Sequence, residues 1–154
     1  MNDNLDQTDR KVLTFLQDDG RMSVVDLAER IGLSPTATTE RVKRLTRDGY
    51  ILGYGARLNA DLLGRGLLVF IEVKLDRTTP DVFERFAEAV VHAPEVLECH
   101  MVAGGFDYLI KTRVADMTAY RRFLSEVLLS LPGVRETHTF AVMEEVKNTS
   151  ALPV

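Results

Sequence analysis

Apolar side chains spaced three and four residues apart predict a short helix near the start of the chain. Val12 and Leu16 lie on one face of this segment, as expected for a helix that packs one side against a core. Asp6 and Asp9 stand near its N-terminal end, where acidic groups stabilise a helix. Gly20 ends the segment.

Two further helices follow and are joined at a glycine. Ser23 can cap the first of them, and Gly32 permits the left-handed turn that ends it. The second begins with Ser34 as N-cap and Pro35 at the first helical position, a favoured pairing. Two short helices hinged in this way indicate a helix-turn-helix, which places its second helix in the major groove of DNA.

The second of these helices has a buried face and a polar face. At about 100° per residue, Thr38, Val42 and Leu45 share the buried face. Early positions on the exposed face of a recognition helix reach base edges, and later cations meet phosphates. We therefore expect base contacts from Thr36, Thr39, Glu40 and Lys43, and phosphate contacts from Arg44 and Arg47.

Two more arginines are candidates for the same surface. Arg41 lies closer to the core, where it can contact DNA or instead pair with Glu40 or Asp48. Residues 50–59 are β-prone and rich in glycine, which predicts a wing whose Arg57 contacts a flanking phosphate. An unrelated three-helix bundle is the alternative for this part of the chain.

From residue 67 onward the apolar positions change to a period of two. Val69, Ile71 and Val73 alternate with polar or aromatic neighbours, as in a strand with one buried face. The order βαββαβ that follows is the ferredoxin-like split βαβ motif. Strands are predicted over residues 67–75, 96–102, 107–114 and 134–143, and helices over residues 81–91 and 117–131.

A sheet of this kind carries helices on one face only. The other face, which includes Phe70, needs cover, and a second copy of the chain is the simplest source. A dimer also suits a helix-turn-helix, which usually reads paired half-sites. The fold class is therefore α+β, with a winged helix-turn-helix domain over residues 1–58, a linker over 59–66 and a ferredoxin-like domain over 67–154.

The loop at residues 104–108 is the best candidate for a small-molecule site. Gly104 and Gly105 leave backbone N–H groups open to a carboxylate, and Asp107 can accept hydrogen bonds from an ammonium group. Together these groups suit a free amino acid. A simple turn is the alternative, because paired glycines between strands usually mark one.

Composition and charge narrow the possible functions. The 154 residues are 45% hydrophobic and 27% charged, as in globular proteins. The net charge of −4 argues against bulk coating of nucleic acid, whereas residues 34–57 form a local basic patch. No apolar run is long enough for a membrane span, and the acidic N-terminus lacks the apolar stretch of a secretory signal. We expect a cytoplasmic protein that associates with the nucleoid and makes no membrane contact.

Catalytic and metal-binding patterns are missing from the sequence. Cys99 is the one cysteine, which excludes a disulfide within the chain. His92, His100 and His138 lie far apart and lack metal-ligand spacing. No nucleophile–base grouping or phosphate-binding loop stands out. We therefore expect neither an enzyme nor a cofactor.

Short motifs spread over nearly the whole chain match those of one regulator family. They include Leu-Asp-Gln-Thr-Asp at 5–9, Gly-Leu-Ser-Pro-Thr at 32–36, Glu-Arg-Val-Lys-Arg-Leu at 40–45, Phe-Asp-Tyr-Leu at 106–109, Leu-Pro-Gly-Val at 131–134 and Val-Met-Glu-Glu-Val-Lys at 142–147. In these motifs and their order the chain resembles the Lrp/AsnC (feast/famine) family of bacterial and archaeal transcription regulators.

The resemblance implies an amino-acid sensor in the second domain and dimers that assemble into octamers. Effector sites in the family lie between dimers, beside the glycine loop. An apolar lining there favours an effector the size of leucine, methionine or proline. Carried over position by position, the effector residues are Met101, Gly104, Gly105, Asp107, Met117, Phe140, Ala141 and Val142.

Three functions follow from these features. The first is a sequence-specific DNA-binding regulator of amino-acid metabolism genes, modulated by a free amino acid. The alternative is an architectural protein that compacts DNA without an effector. Asp107 and the paired glycines favour the first. An amino-acid-metabolising enzyme with a fused sensor would need catalytic residues that the chain does not offer.

Overall fold

The computed structural model describes residues 5–154 and forms two compact units. Among these residues, one unit holds 5–57 together with 147–154, and the other holds 58–146. Residues 1–4 of the predicted first domain lie outside the described part. Among the described residues, no helix has the length and apolar character that crossing a membrane requires.

The end of the chain belongs to the first unit, whereas the sequence prediction placed it in the second domain. The side chain of Gln17 on the first helix makes two hydrogen bonds with the backbone of Leu152, of 3.0 and 2.6 Å. These bonds join residues far apart in the sequence, which local patterns cannot reveal. The chain therefore passes between the units at residues 57–58 and again at 146–147.

The first unit contains helices α1 (Gln7–Asp18), α2 (Val24–Ile31) and α3 (Pro35–Arg47). Side-chain caps begin α2 and α3 as predicted. Ser23 and Ser34 each accept a hydrogen bond from the backbone N–H three residues further on, at 3.1 and 3.2 Å. Each cap satisfies an N–H group that the first turn of a helix leaves unpaired.

A small core and a left-handed glycine fix the arrangement of these helices. Gly32 has φ of 72°, so α2 ends in the predicted turn. Val12, Leu27 and Leu45 have at most 1% of their surface exposed and pack together. Thr38 is also fully buried, and its hydroxyl donates to the carbonyl four residues back at 3.0 Å. The prediction that Thr38 and Leu45 lie on the buried face of α3 is therefore confirmed.

The segment after α3 lies where the sequence predicts a wing, and it has no regular secondary structure. Residues 51–59 are neither helix nor strand. Leu52 and Tyr54 are exposed, by 96% and 56%, so the alternating apolar face that stabilises a strand pair is not buried. The segment occupies the place of a wing in the chain without its β-ladder.

The second unit follows the predicted βαββαβ order. The elements are β1 (Leu67–Leu75), α4 (Pro80–Val91), β2 (Val96–Met101), β3 (Tyr108–Val114), α5 (Met117–Glu126), a 3-10 turn (Leu128–Ser130) and β4 (Val134–Ala141). The sheet has the strand order β2-β3-β1-β4, with neighbours antiparallel. This is the ferredoxin-like arrangement.

The second helix of this unit is shorter than predicted. It ends at Glu126 instead of residue 131, and the chain tightens into the 3-10 turn. That turn buries Leu128 completely. The apolar spacing therefore continued past the end of the helix because the turn also faces the core.

One face of the sheet carries the core. Val69, Ile71 and Val73 of β1 have no exposed surface, and Phe86 of α4 is equally enclosed. The ring of Phe86 lies 4.4 Å, centroid to centroid, from that of Tyr108 on β3. These residues belong to one apolar cluster that joins the sheet to both helices.

The opposite face of the sheet mixes aromatic and ionisable groups. Successive side chains of a strand point to opposite faces, so the neighbours of the buried β1 residues lie on this side. Phe70 lies opposite Phe140, and Glu72 lies opposite His138. This face therefore carries ionisable side chains, in contrast to the apolar face that packs against the helices.

Candidate nucleic-acid interface and effector site

The exposed face of α3 carries the residues predicted to read DNA. Thr36, Glu40, Lys43 and Arg47 are exposed and Thr39 is half-buried. Lys43 bonds Glu40 at 2.9 Å, and Arg47 bonds Asp48 at 2.9 Å. Both ion pairs are exposed to solvent, where such pairs contribute little to the stability of the fold. Their cations can therefore exchange these partners for DNA at small cost.

Arg41 and Arg44 have partners that the sequence did not predict. Arg41 pairs with neither Glu40 nor Asp48; its Nη1 donates to Asp6 at 2.7 Å and to Asp9 at 2.6 Å. Nη2 of Arg44 donates to both carboxylate oxygens of Asp9, at 2.5 and 2.7 Å. Arg41 and Arg44 of α3 therefore both bind the start of α1. Their partners stand more than thirty residues away, beyond the reach of local patterns.

Arg57 likewise has a partner within the first unit. Its Nη2 donates to the backbone carbonyl of Asn148 at 3.4 Å. This is a long hydrogen bond on an exposed residue. The contact couples the segment after α3 to the end of the chain.

The Asp6 and Asp9 carboxyls are held in their charged forms. Burial alone would raise the pKa of Asp9, but hydrogen bonds from Arg44, Arg41 and the Asp6 N–H outweigh it and keep the pKa below the ordinary 3.8. The backbone N–H of Asp9, followed by Arg41, lowers the pKa of Asp6 in the same way. Depressed carboxyl pKa values stabilise the fold above the unfolded-state value and lose that effect as the pH falls through the folded-state values.

The glycine loop retains the groups that an amino acid would need. A side chain built on Gly104 or Gly105 would meet no atom within 4 Å, so the backbone there faces open space. Oδ2 of Asp107 accepts the Leu75 N–H at 2.7 Å and thereby caps the end of β1. Oδ1 makes no hydrogen bond within residues 5–154. One carboxylate oxygen thus has a structural role, and the other is available to a ligand.

The structure separates the predicted effector residues into two groups at opposite ends of the sheet. The N–H of Asp107 bonds the carbonyl of Val73, whereas Ala141 lies opposite Val69. Four residues of β1 separate these points, which is roughly 13 Å at strand spacing. One chain therefore does not bring the two groups together. The first group is Met101, Gly104, Gly105 and Asp107, and the second is Met117, Phe140, Ala141 and Val142.

A cavity of about 320 Å³ opens beside the glycine loop. Of the predicted effector residues, Gly105 lines it. The remaining lining residues were missed because they come together through cross-strand register, as where Lys74 lies opposite Glu136. The alternating polar positions of β1 and β4 were the sequence pattern that could have predicted these lining residues. The lining consists of Glu72, Lys74, Gly105, Phe106, Glu136 and His138.

Two family profiles together match almost all of the chain. The profile described as winged helix-turn-helix DNA-binding matches residues 5–51, and the Lrp/AsnC ligand binding domain matches residues 68–152. The chain belongs to the Lrp/AsnC family. The leucine-responsive regulatory proteins of Escherichia coli K12 and Klebsiella pneumoniae are each 56% identical to it over 151 residues, or 98% of this chain and 92% of theirs.

Solved structures of Lrp/AsnC regulators share the whole fold. A transcriptional regulator from Neisseria meningitidis, in complex with L-Met, superposes with a TM-score of 0.92 at 40% identity, over 97% of this chain and 96% of that one. An AsnC family regulator from Agrobacterium tumefaciens has a TM-score of 0.92 at 32% identity, over 97% of both chains. This Lrp/AsnC protein is accordingly a DNA-binding transcriptional regulator with an amino-acid-binding domain, and not an enzyme.

Acid should weaken the first unit through the two aspartates whose pKa values are lowered. The free energy of unfolding, measured by denaturant titration and circular dichroism, should fall more between about pH 6 and pH 3 in the wild type than in Asp6→Asn, which lacks one of these carboxyls. Asp18→Asn is the matched control, because Asp18 lies exposed at the end of α1 outside the cluster. An equal fall in wild type and Asp6→Asn would contradict the assignment.

Proposed function

We propose that the exposed face of α3 reads operator DNA in the major groove. The observation that carries this proposal is the division of α3 into two faces, with Thr38 and Leu45 fully buried and Lys43 and Arg47 exposed by 68% and 74%. Hydroxyls near the start of the helix suit base edges, and cations further along suit phosphates. Base contacts come from Thr36, Thr39, Glu40 and Lys43.

The phosphate contacts on this face come first from Arg47. Arg44 keeps 36% of its side chain exposed, but both of its short hydrogen bonds go to Asp9. Arg44 can therefore turn to a phosphate only by giving up a buried partner. Arg41 is in the same position, and Arg57 needs to release only one long bond. In this proposal Arg47 and Arg57 bind phosphates, while Arg41 and Arg44 stay bound to Asp9.

Substitutions on α3 should separate sequence reading from general attraction. Thr39→Ala and Lys43→Ala should reduce the preference for operator over scrambled DNA by about 1–3 kcal/mol each, because each removes a base contact. Arg47→Ala should weaken binding to both duplexes and lower the salt slope by about one unit. Fluorescence anisotropy at several salt concentrations measures both effects.

Arg122→Ala is the control for these substitutions, since it removes an exposed cation from α5 in the other unit. It should leave both binding constants unchanged. Unchanged binding in Thr39→Ala, Lys43→Ala and Arg47→Ala would exclude this face as the interface.

We also propose that a free amino acid binds where two copies of the chain bring both groups of effector residues together. The distance between the groups supports a shared site, because neither end of one sheet holds all eight residues. Oδ1 of Asp107 accepts the ligand's ammonium group, and the open backbone at Gly104 and Gly105 binds its carboxylate. The exposed side chains of Met101, Met117 and Phe140 favour a leucine-, methionine- or proline-sized side chain. The Neisseria regulator, which binds L-Met, supports this class.

Asp107→Asn should lower effector affinity about ten- to a hundredfold, because it removes the charge that strengthens the bond to the ammonium group. Calorimetry with L-leucine, L-methionine and L-proline measures this change. Asp81→Asn is the control, since it removes an exposed carboxylate from α4 in the same unit. Equal affinity in Asp107→Asn and wild type would contradict the ammonium role. Failure of all three amino acids to bind the wild type would favour the effector-independent architectural function.

A site shared between copies requires the chain to assemble. We propose a homodimer that builds an octamer, with a second copy covering the sheet face that carries Phe70 and Phe140. The pairing of Phe70 with Phe140 on that face supports this, because Phe140 is 52% exposed in the single chain. Multi-angle light scattering at micromolar concentration should detect no monomer, and a monomer there would contradict the proposal.

The genes that the regulator controls are, in this proposal, those of amino-acid metabolism, and it acts on them at the nucleoid.

A further inference from the structure

Asp9 is a buried charge at the junction of two helices. Among residues 5–154, Asp9 is the only acidic or basic side chain that is fully buried, with no exposed surface. Its carboxylate accepts hydrogen bonds from Arg41 at 2.6 Å and from Arg44 at 2.5 and 2.7 Å. A third donor is the backbone N–H of Asp6 at 3.1 Å, which closes the capping box of α1.

The four charges of this cluster balance. Asp6 accepts a second bond from Arg41, so that two carboxylates face two guanidinium groups. A buried carboxylate is stable only when it is paired and hydrogen-bonded. The charges of Arg41 and Arg44 are therefore compensated within the unit.

The cluster constrains the orientation of α3 in a way that the apolar core does not. Arg41 and Arg44 are three positions apart, so they project from one side of α3 and meet a single carboxylate of α1. Apolar contacts such as Leu27 with Leu45 stabilise without a preferred direction. Charge-assisted hydrogen bonds add directional specificity. Two such anchors on one side fix both the rotation of α3 about its axis and its position along that axis.

We propose that Asp9 is a positioning residue for sequence reading. By holding Arg41 and Arg44 it sets the rotation of α3, so that Thr39 and Lys43 point at base edges. Site geometry of this kind requires placement within about 0.5 Å and 10–20°. This inference rests on the proposed DNA-reading face of α3.

Specific and non-specific binding should respond differently to the loss of Asp9. Binding to any DNA depends on the number of cations near phosphates, whereas discrimination depends on the orientation of side chains at bases. Asp9→Asn leaves the two arginines with one fewer negative charge. The freed guanidinium can then reach a phosphate, which preserves or strengthens non-specific binding and steepens its salt dependence.

The test uses the full-length protein and two duplexes. One is selected from a random library by the wild type, and the other is a scrambled sequence of the same length and composition. In Asp9→Asn the ratio of the two affinities should fall about tenfold or more, the factor that one lost base contact supplies. Affinity for the scrambled duplex should be equal or higher. Asp18→Asn, the same substitution at an exposed site on α1, should keep the wild-type ratio.

A general loss of stability would lower binding to both duplexes together, so a parallel fall in a variant that circular dichroism shows to be folded would overturn the proposal. An unchanged ratio would also overturn it. If Asp9→Asn does not fold, Arg44→Lys tests the same contact, because lysine keeps the charge but is shorter than arginine and lacks the guanidinium Nη2 that donates to both carboxylate oxygens. Arg44→Lys should lower the ratio while scrambled-duplex binding persists, and a wild-type ratio in this variant would overturn the proposal.

A wild-type protein that selects no sequence from the library would contradict the DNA-reading face itself. A wild type that selects a sequence, together with an Asp9→Asn variant that discriminates equally well, would contradict only the positioning role.

Discussion

A carboxylate with no exposed surface is the constraint on which the DNA-binding unit depends. Burying the charge of Asp9 is costly unless donors surround it, and Arg41, Arg44 and the Asp6 N–H supply them. Because these donors come from α3 as well as from the start of α1, the two helices must meet at this point. Removing one partner from a buried ion pair typically costs about 3–5 kcal/mol, so the contact acts on stability and on helix orientation together.

The consequence for DNA binding is a division of labour among the cations of α3. Arg41 and Arg44 bind Asp9, and their charge is already compensated. Lys43 and Arg47 face solvent in exposed ion pairs that exchange readily. In the proposed function the local basic patch is therefore smaller at the DNA surface than a count of its arginines suggests. This suits a regulator of net negative charge that must discriminate among sequences.

Local signals predicted most of the fold. Ser23 begins α2, Gly32 ends it and Ser34 begins α3. The hydrogen bonds at these helix ends span three or four residues, so a short stretch of sequence is enough to predict them. The alternation of β1 likewise predicted its buried face. Residues 51–59 lie where the sequence predicts a wing, and they form no β-ladder because side chains such as Leu52 and Tyr54 are not buried.

Long-range contacts could not be predicted in the same way. The partners of Arg44 and of Gln17 stand far along the chain, so neither the internal ion pairs nor the place of the chain's end followed from spacing. The sequence also suggested one effector site, carried over from the family resemblance. The register of the sheet puts Asp107 and Ala141 at opposite ends, which the identities of the residues alone do not reveal.

Dimethyl sulfate footprinting on a duplex selected by the protein reports which groove α3 enters, because this reagent methylates guanine at N7 in the major groove and adenine at N3 in the minor groove. Guanine N7 is an edge that a recognition helix contacts. If the exposed face of α3 reads the major groove, the wild type should protect guanines there, and Lys43→Ala should lose protection at individual positions while still binding. Protection confined to adenine N3, or a guanine pattern unaffected by Lys43→Ala and Thr39→Ala, would contradict the account.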